Sequence, residues 1–225
     1  LENILNFQEY IKQLRSIGQY AFTAEQAEKD LGISRNALSS RVYKLKKRGE
    51  ILSPAKNFYV IIPPEHRQEG CIPAEELVPI LMNHLKLDYY VCLLSAALYH
   101  GSSHQKPQVF QVMLPKQLSS LRLGKIRINF IYKKDWQSIS GYLNQRVVRT
   151  GYLNLASPEL TAMDLFMYLK PSGGINAVAT VLSELIDVLD ESILISLIRQ
   201  SSSNAWWQRL GYVLEKIDLM DNSIK

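Results

Sequence analysis

The chain has 225 residues, 47% hydrophobic and 21% charged, with a net charge of +5; that composition supports one large or two ordinary globular domains and excludes a disordered chain. Its longest apolar run, YYVCLLSAALY, is too short to span a bilayer, its first residues lack the pattern of a secretory signal, and Cys71 and Cys92 have no CxxC spacing, which argues against a disulfide framework or zinc knuckle. A cytoplasmic protein of two domains is the expectation. The charge is unevenly placed: Leu1 to Val60 carries ten basic against six acidic residues, and the remainder sixteen against fifteen. A basic excess concentrated in one small region suits a polyanion partner, whereas a uniform excess would concern only solubility.

Leu1 to Ile17 places Leu1, Ile4, Leu5, Ile11, Leu14 and Ile17 on one helical face and stops at Gly18. FTAEQAEKDLG then predicts a short helix with Thr23 as N-cap, a capping box with Gln26, and a stop at Gly32. Ser34 caps a third helix, SRNALSSRVYKLKKRG, ending at Gly49. Its Leu38, Val42 and Leu45 form a core side, with Asn36, Ser40, Tyr43 and Lys47 opposite. Helix, four-residue glycine turn and helix is the spacing of a helix-turn-helix, and GEILSPAKNFYVII adds strand, turn (Pro54 to Asn57) and strand, completing a winged helix. Arg35, Asn36, Ser39, Ser40 and Tyr43 are expected to read base edges or nearby phosphates of double-stranded DNA. Lys44, Lys47 and Lys56 are expected on backbone phosphates, and Ser34, Arg41 and Asn57 complete the candidate set.

IPPEHRQEGCIPAEEL, interrupted by Pro63, Pro64, Gly70 and Pro73, reads as a linker. The expected domains are therefore residues 1–63 and 64–225. Beyond it come a helix around Pro79 to Leu87, then YYVCLLSAALYHG with Gly101 as its C-cap, then strands in QVFQVML and KIRINFIY. YLNLA predicts a short strand, and Ser157 with Pro158 opens a helix through Lys170. INAVATVLSELIDVL predicts an amphipathic helix with Ile175, Val178, Val181, Leu182, Leu185, Ile186 and Leu189 on one face; SILISLIR and AWWQRLGYVLEKI add two more. The fold class is α+β: an N-terminal winged helix-turn-helix, then a larger mixed α+β domain with a helical C-terminal part.

Catalytic and metal readings find little support. His100 and His104 have four-residue spacing, but Gly101 interrupts the helix between them, and zinc needs three or four ligands. Ser95, Ser102 and Ser103 lie near the histidines without a G-x-S-x-G elbow. The Gly101-Ser102 pair is similar to the glycine-serine turn of nucleotidyltransferases, yet the next acid, Asp135, is far along the chain and paired carboxylates for Mg²⁺ are missing. Gly173-Gly174 reads as an interhelix turn, and Trp206, Trp207 and Tyr212 as core or domain-interface packing. No cofactor or metal and no enzyme activity are expected.

NFYVIIPPEHRQEG, YYVCLLSAALYHGSSHQKPQVFQVMLPK, SPELTAMDLFMYLKPSGGINAVATVLSEL and QRLGYVLE, following a winged helix, resemble the AbiEi antitoxin family of phage-defence transcriptional regulators. The resemblance implies an N-terminal domain that represses its own toxin–antitoxin operon through inverted repeats. It also implies a C-terminal domain that counteracts a nucleotidyltransferase-like toxin without a stable complex, the type IV mode of abortive infection. Because YHGSSHQKPQ coincides with a family motif and forms a loop on a scaffold, His100, Ser103, His104, Gln105 and Gln108 become candidates for the antitoxin surface. The alternatives are a stand-alone regulator whose second domain binds a ligand or protein, and a nucleic-acid-processing enzyme.

Overall fold

In the computed structural model, which describes residues 6–102, 107–201 and 205–223, the chain opens with helix α1 (Phe7–Ser16). Asn6 and Glu9 form a capping box there. The helix therefore begins at Phe7, and the expected start with Leu1, Ile4 and Leu5 lies outside the described residues. Ile17, expected on the apolar face, is the C-cap and points to solvent. An unpredicted strand, β1 (Ala21–Thr23), precedes α2 (Ala24–Leu31), α3 (Arg35–Lys47), β2 (Ile51–Ala55) and β3 (Phe58–Ile61). The sheet order is β1-β3-β2, antiparallel throughout. Thr23 caps α2 through the Gln26 N–H, but Gln26 does not return the bond: its side chain accepts from Gln19 instead, so the capping box is only half formed.

Phe22, 1% exposed, centres this core. Phe7 and Tyr10 meet it edge-on at 6.1 and 5.8 Å between ring centroids, a favoured aromatic geometry. Leu31, Leu38, Val42, Leu45, Ile51 and Ile61 fill the remainder. The wing turn is tighter than the expected Pro54–Asn57. Only Lys56 and Asn57 lie between the strands, with Asn57 at φ 58°, and Pro54 stays within β2. Leu52 pairs with Val60 and Ala55 with Phe58, so one extra residue bulges from β2, an irregularity that accommodates a proline lacking its N–H.

After a 3₁₀ turn at Pro64–His66, α4 (Ala74–Leu85) starts five residues before the expected Pro79. Pro79 forfeits one intrahelical bond, but Glu75 and Glu76 suit the helix N-terminus and Leu77, Val78, Leu81 and Met82 are buried. The expected helix from Tyr89 onward is instead a short strand, β4 (Tyr90–Val91), followed by α5 (Leu93–Tyr99). Cys92 is extended and Leu93, the first residue of α5, has φ 52°, so the helix does not reach back to Tyr90. Then come β5 (Phe110–Leu114), β6 (Leu121–Leu123), β7 (Ile126–Tyr132), β8 (Leu143–Val148) and β9 (Gly151–Ala156). Of these, β6 and β8 were not expected. The six strands form one mixed sheet in the order β6-β7-β5-β4-β9-β8, with β4 antiparallel to β5 and parallel to β9.

Helix α6 (Pro158–Met167) is capped by Ser157 and ends three residues before the expected Lys170, where Tyr168 at φ −121° and ψ 55° leaves the helical region. Helices α7 (Ile175–Leu185), α8 (Glu191–Gln200) and α9 (Ala205–Ser223) follow. On α7, Val178, Val181, Leu182 and Leu185 are buried as expected, whereas Ile175 and, beyond the helix end, Ile186 are exposed. Trp206 is buried and Tyr212 exposed. The fold is thus mixed α+β with an N-terminal winged helix. By contacts the chain divides into two units, one of Leu1–Asp88, Ser120–Ile128 and Val147–Leu153, the other of Tyr89–Ser119, Asn129–Arg146 and Asn154–Lys225.

Within the second unit, α6 is buried nearly all round, including Asp164. Lys133 Nζ donates to Asp164 Oδ1 and Tyr90 OH to Oδ2, each at 2.8 Å, with Lys133 and Asp164 4% and 0% exposed. Trp136 lies against the Tyr90 ring at 5.4 Å. Removing one partner of such a pair strands the other charge in the core, at a cost of about 3–5 kcal/mol. Asp164→Ala is therefore expected to lower urea-unfolding stability by about that much, while Lys133→Met with Asp164→Leu restores most of it; equal losses in both variants would contradict this account.

Candidate nucleic-acid interface

Helix α3 is anchored by one narrow stripe. Leu38, Val42 and Leu45 are 1%, 5% and 2% exposed, and Asn36, Ser39, Ser40, Tyr43, Lys44 and Lys47 are all exposed. Ser34 caps the helix by accepting from the Ala37 N–H, and Gly32, left-handed at φ 60°, supplies the turn that brings the chain there from α2. With no acid in its first turn and Lys44, Lys46 and Lys47 in its last, the helix places cations against the negative end of its dipole. Arg35 pairs with Glu28 at 2.7 Å, an exposed contact of little net strength that a phosphate can replace.

The remaining candidates flank this face. Arg41 is half-buried on the side toward α1, lining a cleft with Phe7, Gln8, Lys44 and Arg48. Lys46 lies over the Tyr59 ring at 5.5 Å. Lys56 is exposed at the wing tip, while Asn57 is half-buried and its carbonyl accepts from the Ala24 N–H, so its backbone fastens the wing to α2.

The other candidates are more scattered. His100 is half-buried at the end of α5, and its Nε2 lies 2.8 Å from the Ala156 carbonyl. A carbonyl only accepts, so Nε2 carries the proton. Burial holds the imidazole below its ordinary pKa, opposed by that hydrogen bond and by Glu159. Gln108 is exposed ahead of β5. Ser103, His104 and Gln105 lie outside the described residues. Among the described residues no three His, Cys, Asp or Glu side chains gather as a metal site, and no helix is long and apolar enough to cross a membrane. Neither thiol is poised for chemistry: burial pushes Cys71 up to about 12 and Cys92 well above the ordinary thiol range.

Sequence reasoning passed over the cations Lys12, Arg15 and Arg67, which line a cleft beside α1. Spaced along the chain, they form no motif. It also missed the Lys133–Asp164 pair, whose one visible sign is an acid in the apolar run LTAMDLFMYL.

These features define a winged helix-turn-helix protein carrying an appended α+β domain. Residues 9–62 match a family described as "Transcriptional regulator, AbiEi antitoxin", and residues 89–216 match the AbiEi antitoxin C-terminal domain. The chain belongs to the AbiEi antitoxin family. No curated protein sequence matches it. The crystal structure of the RV2827C protein from Mycobacterium tuberculosis is similar in fold, with a TM-score of 0.64 at 18% identity, over 93% of this chain and 76% of that one. An antigenic nucleotidyltransferase-like protein from Paracoccidioides brasiliensis aligns with a TM-score of 0.40 at 10% identity, over 66% of this chain and 88% of that one.

The buried imidazole yields a pH prediction. Because its folded pKa is depressed below 6.5, the unfolded chain binds the proton more tightly, so His100 contributes stability that is present above that value and lost as pH falls through the folded pKa. His100→Gln, keeping an N–H donor, is expected to flatten the stability–pH curve below about pH 6.5, measured by urea unfolding at successive pH values.

Proposed function

We propose that this protein is a DNA-binding autorepressor and antitoxin of a type IV toxin–antitoxin system. In this reading residues 1–63 bind duplex promoter DNA at inverted repeats, and residues 64–225 counteract a nucleotidyltransferase toxin without a stable complex and without catalysis of their own. The observation that carries the DNA-binding half is the one-sided anchoring of α3, which turns Asn36, Ser40, Tyr43 and Lys47 outward together. Short side chains at Ser39 and Ser40 let the helix approach base edges closely, while Asn36 has the donor and acceptor pair that suits adenine. Lys44, Lys47 and Lys56 supply phosphate contacts, and the wing places Lys56 at its tip. Family membership supports the antitoxin half.

Titration of the full chain against duplex from immediately upstream of its own gene, with scrambled duplex as reference, tests the repressor half. Preference for the upstream sequence is expected. Asn36→Ala with Tyr43→Ala is expected to reduce that preference about tenfold or more, whereas Lys47→Ala weakens both duplexes alike and makes the salt dependence shallower by about 0.9 in log–log slope. Equal wild-type affinity for both duplexes defeats the reading.

The antitoxin half is tested by co-expression with a nucleotidyltransferase encoded beside it. Restored growth without co-purification of the two proteins is expected; persistent arrest counts against antitoxin action.

A further inference from the structure

We propose that the flank of α1 is a second DNA-phosphate surface, carrying backbone of the duplex beyond the stretch contacted by α3. This rests on the DNA-binding reading above. Two neighbouring clefts run along α1. The first, about 380 Å³, is floored by Phe7 and Leu45 and rimmed by Arg41, Lys44 and Arg48. The second, about 200 Å³, is floored by Ile11, Ile61 and Ile62 and rimmed by Lys12, Arg15 and Arg67, with Glu50 as its one acid. Gln8 lines both, and Arg48 reaches Glu50 at 3.2 Å from one cleft to the other.

Three acids near these clefts are already engaged. Glu50 holds Arg48, Glu9 closes the α1 cap, and Glu65, which feels Arg15, is bonded to Arg149 at 3.3 Å. Arg15 Nε is buried with no hydrogen-bond partner among the described residues. The surplus is thus cationic and begins beside the basic end of α3.

The spacing favours a polyanion over a small anion. Small ligands need polar groups converging on one point, whereas these cations are strung out along α1 and onto the segment after β3. Gln8 to Arg15 covers about 10 Å of helix, roughly the axial length of three phosphates of one strand. On α3 itself, Arg41, Lys44 and Arg48 lie about 80–140° around the axis from Asn36. They can therefore meet backbone while the Asn36 face meets bases.

The test compares the full chain with Lys12→Gln/Arg67→Gln, both exposed positions, and with Lys116→Gln/Lys170→Gln, an equal charge loss in the second unit. Fluorescence anisotropy on upstream and scrambled duplex is read across a salt series, with thermal melts verifying that each variant is folded. The Lys12→Gln/Arg67→Gln variant is expected to lower the log K against log salt slope by about 2 and to leave the preference for upstream over scrambled duplex within twofold of wild type, while the control variant keeps the wild-type slope. An unchanged slope in the Lys12→Gln/Arg67→Gln variant, or an equal drop in the control, overturns the inference and leaves the α3 reading intact. Absence of any wild-type preference defeats the α3 reading, and this inference falls with it.

Discussion

The interface depends on how narrowly α3 is held. Leu38, Val42 and Leu45 are the helix's three buried residues, so the apolar stripe occupies a minority of its circumference and most of the rest faces water. Burial of the three side chains contributes about 1.5–3 kcal/mol each, enough to fix rotation about the helix axis. That rotation decides which side chains are available outside. An apolar residue in place of Arg41 or Lys46, which flank the stripe on the helix, would widen it and make the exposed face ambiguous. The termini strengthen the same constraint: Ser34 sets the start, while the Gly49 and Glu50 N–H groups bond the Lys46 and Leu45 carbonyls, turning the chain directly into β2. The wing thus starts from a defined point, and the bulge between Leu52 and Ala55 bends it without loss of pairing at Ala55 and Phe58.

In the second unit the organising element is a charge. Asp164 sits on a helix whose other buried positions are mostly apolar, so hydrophobic burial alone does not specify how the helix turns. The carboxylate does, because it must meet both Lys133 and Tyr90. Tyr90 lies on β4 and Lys133 directly follows β7, and the pairing holds strand ends and helix in one relation. The arrangement costs desolvation of two ions, and an apolar replacement of both can match it in stability. Its effect is specificity of packing. Glu159 acts similarly one turn earlier, accepting from Ser157 Oγ and the Asp190 N–H.

The winged helix was legible because its signals are local. Caps, glycines and the three-and-four spacing of Leu38, Val42 and Leu45 all operate within a few residues, and each has a single geometric meaning. β1 escaped because three residues are too few to show alternation, and their pairing depends on Val60 and Phe58, far along the chain. β4 escaped for a related reason: Tyr90 and Val91 sit in an apolar run that fits a helix equally well, and only partners at Met113, Val112 and Leu155 make them strand. Helix starts moved where a proline was read as a boundary. Pro79 proved internal, since buried neighbours offset one missing hydrogen bond. His100 was legible only as part of the YHGSSHQKPQ motif; the acceptor of its hydrogen bond, Ala156, is fifty-six residues away and no pattern identifies it.

The α1 flank shows why counting charge by segment understates what a fold can assemble. The excess counted to Val60 reflects mainly the run Arg41 to Lys56, because Lys12 and Arg15 are offset in the count by Glu2 and Glu9, and Arg67 lies beyond it. Folding removes part of that cancellation. Glu9 turns back to its cap and Glu50 to Arg48, while Lys12, Arg15 and Arg67 line one cleft. Acids consumed by caps and ion pairs no longer oppose cations spread along a face. The field that a polyanion meets is set by this residue-by-residue allocation, and a modest net charge is therefore compatible with a strongly basic surface.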